Sequence, residues 1–242
     1  MSSRNQLAPN SPEREQADAS GQGSGHRARL RQRILNSDET GLHDHEIIEY
    51  LLALAIPRRD TKPLAKELIR RFGGFGGVMM ADGDSLMAVD GMGETSAAAI
   101  KIVRRAAVEL LRKPLGGQTI LSNWQALLDY LRADMAHLKI ERVRVLYLSS
   151  KNVLMSDEHM GDGSVDQAAI YTRQVIKRAL DLGATGLILV HNHPSGNPQP
   201  SKQDIAITRD IIDAGRRLGI TVHDHVIIGL KDHHSMRSAG LI

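Results

Sequence analysis

Two histidines and one aspartate, His191, His193 and Asp204, have the residue types and the spacing of a metal site. The histidines follow the apolar run at 187–190, which is typical of a buried strand. Because alternate side chains of a strand point to the same face, both imidazoles are expected to project together from its end. Two imidazoles and a carboxylate, with a fourth position open to water, hold zinc in catalytic sites. The pattern therefore predicts one zinc ion per chain, bound by these three residues.

A loop and the start of a helix must bring Asp204 to the histidines. Pro194 and the Gly-, Asn- and Pro-rich stretch to Pro200 cannot continue a strand, and a helical pattern opens at Ser201. Asp204 then lies in the first helical turn, where the loop can fold it back beside the imidazoles. Ser201 and Asp204 also have the spacing of a helix capping box, and capping alone is the alternative interpretation of that pair. Together with the two histidines, a metal site is the better account, and Ser201 can serve both roles.

The elements around these residues predict an α/β domain at the C-terminal end of the chain. Strands that are interleaved with helices are typical of such a layered domain. In chain order, the pattern indicates a helix at 123–131, a hairpin of strands at 142–148 and 153–155, a helix at 171–182, the strand before His191, a helix at 201–218 and a strand at 222–228.

The chain before this domain is predicted to be helical from 42 to 112, with a tight turn at Gly91 and Gly93. Two glycines around one apolar residue leave backbone N–H groups uncovered at a helix start, where they can hold a phosphate oxygen. The turn resembles the helix-hairpin-helix motif, which contacts DNA backbone without sequence preference. The resemblance implies nonspecific DNA binding through Gly91, Gly93 and Lys101. A purely structural turn, or a turn that contacts another protein, is the alternative, and the sequence leaves these possibilities open. The matching positions are Val89, Gly91, Met92, Gly93, Ala97 and Ile100.

The composition excludes several classes of protein. The 242 residues contain no cysteine, which excludes disulfides and thiolate metal sites, including those of zinc deaminases, and suits a reducing cytoplasm. No apolar run approaches the roughly 20 residues that span a bilayer, so no membrane partner is expected, and the polar N-terminus is not a secretion signal. A net charge of +3 is compatible with a nucleic-acid partner, whereas 3% aromatic residues argue against base stacking on single strands.

Composition shifts divide the chain into four predicted segments. Residues 1–25 are polar and rich in Ser, Gly, Asn and Gln, which is typical of a disordered tail. Residues 26–113 form the small all-α domain with the helix-hairpin-helix. Residues 114–119, with a proline and two glycines, are a linker, and residues 120–242 form the zinc domain.

The spacing from His191 to Asp204 is H-x-H-x7-S-x2-D, the pattern of the JAMM (MPN+) metalloproteases. Together with His-Asn-His-Pro-Ser-Gly at 191–196 and the later Asp224-His225, it makes the chain similar to the RadC family. The resemblance implies an α/β domain of the MPN/JAB type and Zn²⁺ bound by His191, His193 and Asp204. It also implies that zinc lowers the pKa of a water molecule and polarises a substrate carbonyl.

The resemblance further implies a glutamate on a neighbouring strand, and Glu158 at the end of the second hairpin strand is the candidate general base. Asp157 is its competitor, because strand alternation lets only one of two adjacent residues face the site. Ser201 would help to hold the oxyanion of the tetrahedral intermediate.

Two functions remain as hypotheses. The first is a zinc-dependent peptidase or isopeptidase-type hydrolase that acts on a peptide or another amide-containing substrate in the cytoplasm. The second is a DNA-binding accessory protein of repair or recombination with a non-catalytic zinc. A site with only three protein ligands favours catalysis, because structural zinc is usually enclosed by four. The other histidine pairs, His43 with His45 and His223 with His225, are interpreted as structural. The resemblance to the RadC family, in which the Asp-His pair recurs near the site, implies a role beside the metal ligands as the alternative for Asp224 and His225.

Overall fold

The computed structural model describes residues 13–36, 41–117, 119–162 and 168–242. The chain forms two compact units, residues 1–104 and residues 105–242. The predicted disordered tail, residues 1–25, lies outside the described residues as far as residue 12. From Glu13 the chain is helical, so the first helix begins earlier than the expected start near residue 26.

The first unit is helical, which confirms the prediction for 42–112. Pro63 in the first turn of the third helix and the left-handed Gly73 after its end (φ 75°) act as the helix start and stop signals that the sequence suggested. The buried core of the first unit includes Ile48, Leu68 and Ile100. The helices are α1 (Glu13–Asn36), α2 (Asp44–Ala55), α3 (Lys62–Phe72), α4 (Phe75–Met80), α5 (Gly83–Met87) and α6 (Glu94–Arg112).

The second unit contains a mixed sheet between helices. Its elements are α7 (Trp124–Met135), β1 (Arg142–Leu148), β2 (Leu154–Asp162), α8 (Ala168–Leu182), β3 (Gly186–Asn192), α9 (Lys202–Arg216), β4 (Thr221–Ile228) and β5 (His233–Ser235). The strands lie in the order β2-β1-β3-β4-β5. The β1–β2, β1–β3 and β4–β5 pairs are antiparallel and the β3–β4 pair is parallel. The fold class, an α/β domain of the MPN/JAB type after a helical part, is confirmed.

Strand β3 lies at the centre of this unit and is buried along its whole length. Ile188 and Val190 pack with α7 on one face of the sheet, whereas Leu187 and Leu189 pack with α8 and α9 on the other. Burial on both faces explains why the strand is an uninterrupted apolar run. His191 has the parity of Leu187 and Leu189, so its side chain leaves the strand on the face that carries α9.

The predicted domain limits stay a prediction. The two compact units divide between Arg104 and Arg105, within α6. Of the predicted linker, residues 114–119, residue 118 lies outside the described part of the chain. A short 3-10 helix, Lys113–Leu115, follows α6 directly, and another, Ile120–Asn123, leads into α7.

Candidate metal centre

The three predicted ligands come from the end of β3 and the start of α9. His191 is the penultimate residue of β3, and His193 follows in the loop. The backbone N–H of His193 donates to the carbonyl oxygen of Ile228 over 3.0 Å. Asp204 lies in the first turn of α9. Both His191 and Asp204 are 2% exposed. The predicted route, strand to loop to first helical turn, is the one that the chain takes.

The ligand atoms of these residues converge. Nε2 of His191 lies 3.0 Å from Nε2 of His193. Oδ1 of Asp204 lies 3.5 Å from Nε2 of His191, and Oδ2 of Asp204 lies 3.7 Å from Nε2 of His193. Four ligands at zinc-bond lengths around a tetrahedron lie roughly 3.3–3.6 Å from one another. The donor set and its spacing therefore fit a zinc ion. In the described ranges, this is the one group of three or more His, Cys, Asp or Glu side chains that could hold a metal.

The second nitrogen of each imidazole has a partner away from the cluster. Nδ1 of His193 lies 2.8 Å from the carbonyl oxygen of Asn197, and Nδ1 of His191 lies 2.8 Å from Nε2 of His225. An imidazole that binds metal through one nitrogen usually donates the N–H of the other in this way. The sequence favoured a structural role for His225 and left a role beside the metal ligands as the alternative; in the structure its Nε2 contacts the proposed ligand His191 directly.

The electrostatics of the cluster favour the forms that bind metal. Burial lowers the pKa of His191 to about 4, so its imidazole is neutral at ordinary pH. Burial raises the pKa of Asp204, but the hydrogen bond with His193, the charge of His191 and the bonds with Ser201 outweigh it and leave the net pKa low. The hydrogen bond with Asp204 raises the pKa of His193. A metal ion would displace a proton there, because ligands bind in their deprotonated forms.

Ser201 is the N-cap of α9 and forms the capping box that the sequence suggested. Its hydroxyl accepts the N–H of Asp204 over 3.1 Å, and its own N–H donates to Oδ2 of Asp204 over 2.6 Å. These bonds fix the orientation of the Asp204 carboxylate. The hydroxyl proton of Ser201 stays available to a further acceptor, because accepting a bond does not use it.

Glu158 is on the same face of the sheet but is not part of the cluster. It lies on β2 opposite Val145 and forms an ion pair with Arg178 of α8, at 2.7 Å between Nη2 and Oε1. Ser156 donates a second hydrogen bond over 2.8 Å. The hydrogen bond with Arg178 lowers the pKa of Glu158. The Glu158 carboxylate is therefore already paired with the guanidinium of Arg178.

Asp157, the competitor on the sequence, faces the opposite side of the sheet. The hydroxyl of Tyr130 donates to its carboxylate over 2.6 Å, and the guanidinium of Arg144 binds it at 2.7 Å. Strand alternation therefore separates the adjacent pair as expected, and neither member joins the histidines.

The carboxylate that does face the cluster is Glu141, which the sequence analysis missed. Val143 of β1 lies opposite His191 of β3, so extending the antiparallel register by two residues places Glu141 opposite His193. Oε1 of Glu141 is buried and makes no hydrogen bond among the described residues. Burial and the charge of Asp204 raise the pKa of Glu141, and the charge of His193 opposes them. The sequence signal for Glu141 was that it shares a strand face with Val143, two residues later. This signal points to the site only if β1 is known to pair with β3.

Asn192 fixes the backbone on both sides of Glu141. Its side chain is 1% exposed and points away from the two histidines that flank it. Oδ1 of Asn192 accepts the N–H of Arg142 over 2.9 Å, and Nδ2 donates to the carbonyl oxygen of Ile140 over 3.0 Å. The residue between the two ligands thus ties the end of β3 to the start of β1.

The predicted hairpin of the helical unit is formed, with Gly91 at φ 87°. A Cβ there would lie 2.7 Å from the end of the flexible Arg59 side chain, which can move aside, so it is the positive φ that favours glycine at this position. The N–H of Gly93 donates to Oγ of Ser96 over 2.9 Å. The ammonium of Lys101 donates to the carbonyl oxygen of Ala81 over 3.0 Å, and burial lowers its pKa. Two of the three predicted DNA contacts thus have partners within the unit, and DNA binding stays a prediction.

Comparisons with known proteins agree with this geometry. Residues 121–241 match the family described as RadC-like JAB domain. A UPF0758 protein of Rhodobacter capsulatus is 46% identical over 213 residues, which cover 88% of this chain and 100% of the relative. A UPF0758 protein of Ruegeria pomeroyi is 45% identical over 217 residues, which cover 90% and 97%. Within the described residues, no helix has the length and apolarity to cross a membrane.

Proposed function

Because the chain belongs to the family of proteins with a RadC-like JAB domain, we propose that it is a zinc-dependent hydrolase of peptide, isopeptide or other amide bonds. The observation that carries the proposal is the convergence of His191, His193 and Asp204 beside Glu141, whose Oε1 is buried and makes no hydrogen bond within the described part of the chain. Three protein ligands leave one position open for water or substrate, as in catalytic zinc sites.

A zinc ion at this position would lower the pKa of a water molecule toward neutrality and polarise the carbonyl of a substrate. The roles of the protein side chains follow from their positions. His191, His193 and Asp204 hold the ion, and the capping bonds of Ser201 hold the Asp204 carboxylate in place. The free hydroxyl proton of Ser201 can donate to the oxyanion that forms when the carbonyl is attacked.

Glu141 is the proposed general base. A base needs a carboxylate that is free to take a proton and close to the attacking water, and a pKa above the ordinary glutamate value improves the match to neutral pH. Glu141 has a raised pKa and an Oε1 without a hydrogen-bond partner among the described residues, and it is near enough to Asp204 and His193 for their charges to act on it, whereas Glu158 is held by Arg178 with a lowered pKa. Glu141 would take the proton of the water and pass it to the leaving amine nitrogen. The assignment of this role to Glu158 from the sequence is therefore replaced.

The first test is the metal content of the purified protein, wild type against a His191→Ala/His193→Ala double variant. About one zinc per chain, lost in the variant, is expected. Absence of zinc from the wild type after reconstitution would contradict the proposal. Zinc-loaded protein would then be screened against peptide and isopeptide substrates with a fluorescent leaving amine.

A second candidate function is contact with DNA backbone, which the formed hairpin with its left-handed Gly91 favours. A Gly91→Ala variant would displace the turn, because it adds a Cβ at a positive φ and against Arg59. Salt-dependent binding of duplex DNA by the full chain, lost in this variant, would support that function. Equal binding by both proteins would contradict it.

The absence of cysteine suits the cytoplasm, where we place the protein.

A further inference from the structure

A chain of hydrogen bonds runs from His191 into the interior and returns to the residue that carries the third ligand. Nδ1 of His191 lies 2.8 Å from Nε2 of His225 on β4, and Nδ1 of His225 lies 2.6 Å from Oγ1 of Thr208 on α9. Oγ1 of Thr208 donates to the backbone carbonyl oxygen of Asp204 over 2.5 Å. Two of the proposed ligands, on different elements, are thus joined through two side chains that are not ligands.

The direction of donation in this chain is forced from its far end. The carbonyl oxygen of Asp204 has no proton, so the Thr208 hydroxyl must donate to it. The sulfur of Met236, 3.7 Å from Oγ1 of Thr208, also has no proton and can only accept from the hydroxyl. The hydroxyl must then accept from His225, which places the His225 proton on Nδ1 and leaves Nε2 bare. A bare Nε2 on His225 accepts from Nδ1–H of His191.

The consequence for His191 is a single tautomer with a lone pair on Nε2. That nitrogen is the one that faces His193 and Asp204. The chain therefore presents His191 in the tautomer and ring orientation that a metal needs, before any metal arrives. Burial keeps water from replacing these partners, since His225 is 5% exposed and Thr208 is 0% exposed.

We propose that His225 and Thr208 are positioning residues that set the tautomer and orientation of His191 for metal binding. This inference rests on the metal site of the proposed function and adds to it two residues, on β4 and α9, that the ligand motif does not contain. Hydrogen-bonding partners of metal-bound histidines typically contribute 10–100-fold to metal affinity.

The test uses three variants of the full chain. Thr208→Val keeps the volume of the side chain but removes the hydroxyl, so Nδ1–H of His225 loses its acceptor. Thr208→Ser keeps the hydroxyl and serves as the conservative rescue. Thr61→Val is the matched control, because Thr61 is also buried (1% exposed) and donates to a backbone carbonyl, that of Glu49, in the helical unit.

The measured quantity is the dissociation constant for Zn²⁺, obtained by competition with a chromogenic chelator. Thr208→Val is expected to weaken Zn²⁺ binding about 10–100-fold, while Thr208→Ser and Thr61→Val bind within about threefold of the wild type. Wild-type affinity in Thr208→Val would overturn the inference and leave the metal site intact. A wild-type protein that binds no Zn²⁺ would instead overturn the proposed function, and this inference with it.

A second measurement does not depend on a stable Thr208→Val protein. Nitrogen-15 chemical shifts of the imidazoles distinguish protonated from bare ring nitrogens in the metal-free wild type and in Thr208→Ser. We expect His191 and His225 each to be protonated on Nδ1 and bare on Nε2. A proton on Nε2 of His225 would reverse the direction of the chain and refute the inference.

Discussion

Glu141, the residue before β1, and Glu158, in the middle of β2, have side chains on the same face of one sheet, yet their surroundings are opposite. Glu158 is bound by Arg178 and Ser156, which lower its pKa. Glu141 faces Asp204 with a buried Oε1 that has no hydrogen-bond partner among the residues the structure describes, and its pKa is raised. A carboxylate that contributes to the fold has a cation beside it, whereas one available for proton transfer lacks such a partner.

The largest expected difference between the two is in hydrolysis. Glu141→Gln in zinc-loaded protein should lower kcat by about 10²–10⁴-fold, the usual contribution of a general base, while the zinc content stays that of the wild type. Glu158→Gln should keep activity near the wild-type value, measured on the same fluorescent amide substrate. Loss of activity in Glu158→Gln with full activity in Glu141→Gln would reverse the comparison.

The next effect concerns the residue that holds Glu141 in place. Asn192→Ala removes hydrogen bonds to the backbone at 140 and 142 and should cost about 1–3 kcal/mol of unfolding free energy. Displacement of a catalytic group by about 1 Å can cost 10²-fold in rate, so kcat should fall by up to about that factor while zinc stays bound. Denaturant unfolding and kinetics measure both effects.

The control for Asn192→Ala is Asn36→Ala, an exposed asparagine at the end of α1 in the helical unit. It should leave both quantities near wild type. An Asn192→Ala protein that loses stability but keeps its kcat would show that Glu141 does not depend on this contact.

Titration should separate the two glutamates in the metal-free protein. Burial and the charge of Asp204 raise the pKa of Glu141 above 4.5, so it takes up a proton at a higher pH than an ordinary glutamate; Arg178 lowers that of Glu158. Carboxyl carbon chemical shifts measure both values. Added zinc should lower the pKa of Glu141 and leave that of Glu158 unchanged. Equal pKa values in the metal-free protein would remove the basis of the comparison.

The smallest effect is on thermal stability of the metal-free protein at neutral pH. A carboxylate with a raised folded-state pKa destabilises the fold once it is ionised, so Glu141→Gln should raise Tm. Glu158 has a lowered pKa and stabilises the fold above its unfolded-state pKa, so Glu158→Gln should lower Tm. Each difference in Tm should vanish in acid, at a pH below both the folded-state and the unfolded-state pKa of the glutamate concerned. A scan at two pH values tests the signs, and a lower Tm for Glu141→Gln would contradict them.

The sequence was sufficient for features that are local along the chain. The ligands His191, His193 and Asp204 lie within one strand, loop and helix start, so spacing and alternation predicted their convergence. The helical first unit and the α/β second unit followed from periodicity in the same way. The turn at Gly91 was predicted, but not the Arg59 side chain that packs on it.

Features that depend on which strands are neighbours could not be predicted in this way. Glu141 reaches the site because β1 pairs with β3, and His225 because β4 lies on the other side of β3. Alternation alone placed Glu158 on the correct face, but it gave no information about Arg178 on α8. A single sequence shows which residues share a face of a strand and leaves the order of the strands open.

The distribution of the site along the chain has a consequence for how its activity can be gained or lost. All three ligands and their cap lie within residues 191–204, whereas Glu141 comes from a strand start far earlier in the sequence. The proposed metal binding and the proposed proton transfer are therefore encoded in separate stretches of the gene. Under the proposed function, a single codon change at position 141 would remove hydrolysis and leave the three proposed ligands in place, so a substitution at this position would identify relatives expected to bind metal without hydrolysing an amide.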